Sequence, residues 1–185
     1  MIERDALYRY SGSRANARAL DPNCINNDAC RYLLERWAKR GFILEAFSIA
    51  AVVDVPCILT KIISPDAIPV TFGSACRSSA EAAFIAAVAE AAQSRLTLIS
   101  GARDDISVQD YLTPGDHKRA AAPQLLRAAF ESLPSRCFRT SSEELDALLV
   151  MLREASLSPI SVALHCGLLD IPIFFVSVPK LRLPS

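Results

Sequence analysis

Glu90 and Gln93 lie three residues apart in an alanine-rich run, Ala89-Glu90-Ala91-Ala92-Gln93-Ser94-Arg95. Residues three apart on a helix share a face. A carboxylate and a carboxamide above small side chains make an oxygen donor pair for a hard cation such as magnesium. Arg95, or Arg103 beyond Gly101, can then meet a phosphate through a forked guanidinium. Arg103, Asp104 and Asp105 follow the glycine in a loop, where function often concentrates. Taken alone, Glu90 and Gln93 read first as a solvated helix face, and Arg103, Asp104 and Asp105 as either a helix end with local ion pairs or a phosphate- or substrate-positioning loop. Glu81 precedes Glu90 by nine residues and, at about 100° per residue, points to the opposite face. It is the weaker candidate for the same ion.

Other constellations are poorer in chemistry. Cys76 precedes the helix, where the helix dipole lowers a thiol pKa. A nucleophile pair there needs His117 or His165 nearby, and Cys166 stands beside His165. Gly73-Ser74-Ala75-Cys76 lacks the Gly-x-Ser-x-Gly pattern of a nucleophile elbow. No Gly-x-x-x-x-Gly-Lys-Ser loop occurs, so any ATP site is of another type. A small-molecule α/β enzyme built around His117 or His165 is a further reading.

The elements that must position these residues are legible in part. Residues 1–20 read as the end of a helix and a polar, Arg-rich stretch. Asn26 or Asn27 caps a helix that runs to about Arg40, and Gly41 stops it. Phe42–Ala51, Val55–Ile63 and Ile68–Phe72 read as strands, with Ser64-Pro65-Asp66 as a turn. Gly73–Cys76 reads as a tight loop into a helix capped by Ser78 or Ser79 and spanning Ala80 to Ile99. Residues 107–120 read as a polar loop and Gln124–Ser132 as a short helix. Ser141-Ser142-Glu143-Glu144 resembles a capping box that opens a helix to about Ala155. Ile160–Leu164 and Ile171–Val178 are expected strands, and Ser135–Ser142 a flexible connector. The fold class expected is α/β (α+β), a mixed sheet flanked by helices, in one domain over residues 1–185.

Composition narrows the classes. The 185 residues are 51% hydrophobic, enough for one core, and 20 basic residues balance 20 acidic ones. That balance argues against a general nucleic-acid binder. No apolar run reaches roughly 18 residues without a polar break, so no membrane span is expected. No secretory pattern opens the chain. Six cysteines without Cys-x-x-Cys spacing read as free thiols of a cytoplasmic protein.

The run "AEAAQSRLTLISGARDDI" resembles the signature segment of the YcaO family. "MIERDAL" is similar to the family's Glu-x-Ile-Glu-Arg-Asp-Ala segment. "GSACRSSAEAAFIAAVAEAAQSR" resembles its Gly-x-x-Cys loop and following helix, and "LLDIPIFFVSVPKL" its closing strand and Val-Pro-Gly-Leu-Glu motif. The pieces occur in family order over nearly the whole chain. The ending departs from the pattern, with Val178-Pro179-Lys180-Leu181. The proline-rich terminus of azoline-forming members has no counterpart. YcaO domains are about twice this long, so the chain reads as the C-terminal portion of one.

The resemblance implies ATP-dependent activation of peptide backbone amides, with ATP and magnesium as cofactors. Glu90, Gln93 and more weakly Glu81 would hold magnesium. Glu3, Arg4, Arg95 and Arg103 would meet ATP. The outcomes in the family are azoline rings, thioamides, or an accessory role in methylthiolation of a ribosomal protein. The expected partners are a peptide or protein substrate and a sulfur-delivery or peptide-binding protein, and a homodimer is left open. A catalytically inactive fragment, or one half of a split enzyme, is the alternative.

Overall fold

The computed structural model describes residues 1–21, 25–65, 69–101, 127–164 and 172–181. Helix α1 (Ile2–Gly12) opens the chain, and a 3-10 turn (Arg14–Asn16) leads to strand β1 (Ala17–Leu20). The Arg-rich stretch is therefore partly strand, because Ala17 to Leu20 pair antiparallel with Ile49 to Ala46 and bury Ala17 and Leu20. Helix α2 (Asp28–Ala38) is capped as its sequence predicts: the Asn27 side chain accepts the Cys30 N–H at 3.1 Å. Gly41, at φ +79°, turns the chain out of the helix.

Strands β2 (Ile43–Ile49), β3 (Cys57–Ile63) and β4 (Thr71–Cys76) form an antiparallel meander. The third strand lies further along than expected. Gly73-Ser74-Ala75-Cys76, read as a tight loop, is strand paired with Thr60 to Cys57. Helix α3 (Ala80–Ser100) follows, capped by Ser79, whose hydroxyl accepts the Ala82 N–H at 3.1 Å. Gln124–Ser132 is not a helix where it is described: β5 (Arg127–Ala128) pairs parallel with β1, and Phe130–Ser132 is a 3-10 turn. A free strand edge outweighs weak local helix propensity here. The five-stranded order is β4-β3-β2-β1-β5, a mixed sheet.

The cap of helix α4 (Ser141–Glu154) is Thr140, one residue before the expected capping box. Thr140 Oγ1 accepts the Glu143 N–H at 3.2 Å, and Glu143 Oε2 accepts the Arg139 N–H at 2.9 Å. The stretch Ser135–Ser142, expected to be flexible, is tied to the body. The Ser135 hydroxyl donates to Glu81, the Arg136 N–H to the Ser78 carbonyl, and the Arg136 guanidinium to Asp54. Strands β6 (Ile160–Leu164) and β7 (Ile173–Ser177) form a separate antiparallel ribbon.

Alternation along the strands sends side chains to two faces. Leu44, Ala46, Ile58, Ile62 and Ala75 pack with α3 and α2 around Phe84. Phe47, Ile49, Cys57 and Leu59 pack with Ala6 of α1 on the other face. A third cluster joins Val53, Leu152, Leu157 and Val178. By length and composition α3 is apolar enough to cross a membrane. Its buried residues from Ala80 to Ala91 belong to the cluster around Phe84.

Gly73 sets how close α3 comes to β4. A Cβ there would sit 2.2 Å from the Ala87 carbonyl oxygen and 2.2 Å from the Ala91 nitrogen. The Thr60 hydroxyl ties the two further, donating to the Ala87 carbonyl at 2.9 Å. Gly73→Ala must push a helix backbone aside, so it lowers unfolding free energy by about 1–3 kcal/mol, read by urea titration; an unchanged midpoint would mean α3 shifts without resistance. Lys180 stands at φ +75°, where the resembling motif has glycine. Left-handed backbone costs an L residue about 1–2 kcal/mol, partly offset by the entropy glycine brings to the unfolded chain, so Lys180→Gly stabilises by up to about 1 kcal/mol in the same titration.

Candidate active site

Strand β4 is the edge of the five-stranded sheet, and its amides at 74 and 76 point outward. Each is taken by a carboxylate. The Ser74 N–H donates to Glu90 Oε2 at 3.0 Å. The Cys76 N–H donates to Glu3 Oε2 at 3.2 Å, and the Ser74 hydroxyl donates to Glu3 Oε1 at 2.7 Å. Glu3 comes from α1 on one face of the sheet and Glu90 from α3 on the other. Two carboxylates far apart in sequence thus meet on Ser74.

The local reasons are plain. Gly73 lets the α3 backbone at Glu90 lie against the strand, which brings its carboxylate around the edge to the next amide. Ser74 and Cys76 share the opposite face of the strand, where α1 packs. On α1 the buried Asp5 accepts from Arg9 Nε at 2.7 Å, one turn on, as the sequence allows. Charge-assisted bonds from fixed donors orient both carboxylates and leave lone pairs unused.

The donor chemistry fits magnesium, which takes carboxylate and amide oxygens. Gln93, one turn beyond Glu90, is exposed beside it. The set is partial. Among the described residues, no three His, Cys, Asp or Glu side chains group closely enough to hold a metal ion.

The other candidates lie elsewhere. Arg4 is exposed on α1, next to Glu3. Arg95 is buried, with its guanidinium 4.9 Å from the centre of the Phe42 ring, at the corner where α2 enters β2. Glu81 accepts from the Ser135 hydroxyl at 3.0 Å, away from Glu90. Burial and then the charge of Glu81 push the Cys30 thiol up to about 11. Arg103, Asp104, Asp105, His117, His165 and Cys166 lie outside the described residues. Cys76 pairs with Cys57 across the sheet, and the hydrogen bond from Cys57 is the main influence lowering its pKa.

Ser74 is the residue that sequence reasoning missed. The available signal was Gly73, since a glycine inside a strand marks close backbone approach. A cavity of about 530 Å³ is lined by Glu3, Cys76, Arg77 and Arg136 together with Leu148 and Leu152 of α4.

Comparisons with known proteins agree with this fold. The profile of the family described as YcaO cyclodehydratase, ATP- and Mg2+-binding, matches residues 1–182. An uncharacterised protein of Methanothermobacter thermautotrophicus is 26% identical over 198 residues, covering all of this chain and 51% of its own length. The chain therefore spans about half the length of the curated relative it matches. The heterocyclase TruD superposes with a TM-score of 0.74 at 17% identity, covering 100% of this chain and 26% of TruD. YcaO of Methanopyrus kandleri, solved with AMPPCP and Mg2+, gives 0.73 at 20% identity, over 97% of this chain and 49% of its own. The E. coli microcin synthetase McbBCD complex with pro-MccB17 gives 0.56 at 14%, over 96% and 48%. With a family profile matching almost its full length, and with ATP and magnesium the cofactors of that family, the chain belongs to the YcaO family.

Proposed function

We propose that this chain supplies part of a magnesium–ATP site in an enzyme that activates peptide backbone amides. The observation that carries the reading is the convergence of Glu3 and Glu90 on Ser74. In this reading the two glutamates and Gln93 hold magnesium, and Arg4 or Arg103 offsets phosphate charge. Magnesium–ATP supplies the phosphoryl group that makes an amide oxygen a leaving group. The residues of this chain bind and orient it. The Ser74 hydroxyl and the two strand amides keep both carboxylates aimed before any ligand arrives, which lowers the ordering cost of binding. Attack by a substrate side chain would give an azoline ring, and external sulfide a thioamide. Likeness to heterocyclases supports the first.

A further segment, or a partner that carries it, is part of the reading. Ile160, Val162, Leu164, Ile173, Phe174, Phe175 and Val176 of the β6–β7 ribbon are 44–58% exposed. A two-stranded ribbon needs cover to be stable. The relatives' greater length offers it.

Calorimetry with magnesium–ATP tests the site. The 185-residue chain is expected to bind, and Glu90→Gln and Glu3→Gln each to weaken binding by at least about tenfold with unchanged circular dichroism. Ser74→Ala removes the hydroxyl that seats Glu3 and weakens it less. A folded wild-type chain that shows no binding, or variants that bind equally well, would sink the proposal.

A further inference from the structure

Cys57 and Cys76 face each other directly across β3 and β4. The Cys76 amide points away from β3, so the pair is of the non-hydrogen-bonded kind. In such pairs facing Cα atoms lie about 4.5 Å apart and side chains approach most closely. That falls inside the roughly 4.4–6.8 Å that a disulfide spans. Both thiols are free.

The two thiols differ in access. Cys57 is fully buried, whereas Cys76 is half-buried and lines the cavity beside Glu3 and Arg77. The reachable sulfur is therefore the one an external disulfide meets first.

We propose that Cys57 and Cys76 form a redox-active dithiol, which a low-molecular-weight disulfide such as oxidised glutathione closes into a cross-strand disulfide. The Cys76 thiolate attacks one sulfur of the reagent. The reagent's S–S bond breaks, and one glutathione thiolate leaves with the electron pair and takes up the proton that Cys76 lost. Cys57 then loses its proton and attacks the Cys76 sulfur. The new S–S bond forms, and the second glutathione leaves as a thiol. Two electrons and two protons pass from the cysteines to glutathione. Because the Cys76 amide also holds Glu3, closure pins the strand end on which that carboxylate rests. The proposal stands apart from the magnesium–ATP reading, since it concerns only the sulfur pair.

The test is a peptide map of the full chain after incubation with oxidised glutathione, with free thiols alkylated before non-reducing tryptic digestion. Cleavage after Arg40, Lys61 and Arg77 puts Cys57 and Cys76 on separate peptides. The expected product joins these two peptides and has lost two hydrogens. Exposed Cys137 reports that the reagent is active. In Cys57→Ser the reaction should stop at a glutathione adduct on Cys76. The wild-type map needs no variant to fold. Three results would overturn the proposal: a lasting glutathione adduct on wild-type Cys76 without linkage, linkage to any other cysteine, or both thiols unmodified while Cys137 reacts.

Discussion

The close approach of α3 to β4 at Gly73 is the constraint on which the rest of the structure depends. At that residue helix and strand meet backbone to backbone, with no room for a single methyl group. The contact lets the Thr60 hydroxyl reach a helix carbonyl and sets Glu90 at the sheet edge. It also explains why α3 is so rich in alanine. Ala83, Ala87 and Ala91 are all fully buried, and larger side chains there would hold the helix off the sheet.

The same contact turns a sheet edge into a binding surface. Outward amides on an edge strand are unsatisfied donors. Here they meet carboxylates delivered from both faces, one by each helix. The arrangement is rigid where it rests on backbone and open where lone pairs remain. Membership of an ATP- and Mg2+-binding family gives that surface a chemical context that the two carboxylates alone would not.

Much of this was legible in the residues. The Asn27 cap, the turn at Gly41, the Ser79 cap and the long alanine-rich helix are local features, and local rules found them. The β4 register and the β5 pairing are tertiary. Small residues such as Gly73, Ser74 and Ala75 have little strand preference, and only the facing helix makes their size an advantage. Glu90 and Gln93 stood out by spacing and Glu3 by resemblance. Nothing in the sequence showed that Ser74 joins Glu3 to Glu90, because that link spans 71 residues on one side and 16 on the other. Arg95 looked like a phosphate ligand, yet it is stacked over Phe42.

The separation in sequence between Glu3 and Ser74 also bears on how the chain folds. Strands β2, β3, β4 and helix α3 are one unbroken run of neighbours, whose contacts close short loops. Such a unit forms early, since short loops carry little closure entropy. Glu3 can take its place only when α1 docks across that finished unit. The carboxylate pair therefore assembles last and opens first when the chain frays, so protection of the Cys76 amide from hydrogen exchange is a gauge of how far α1 has docked.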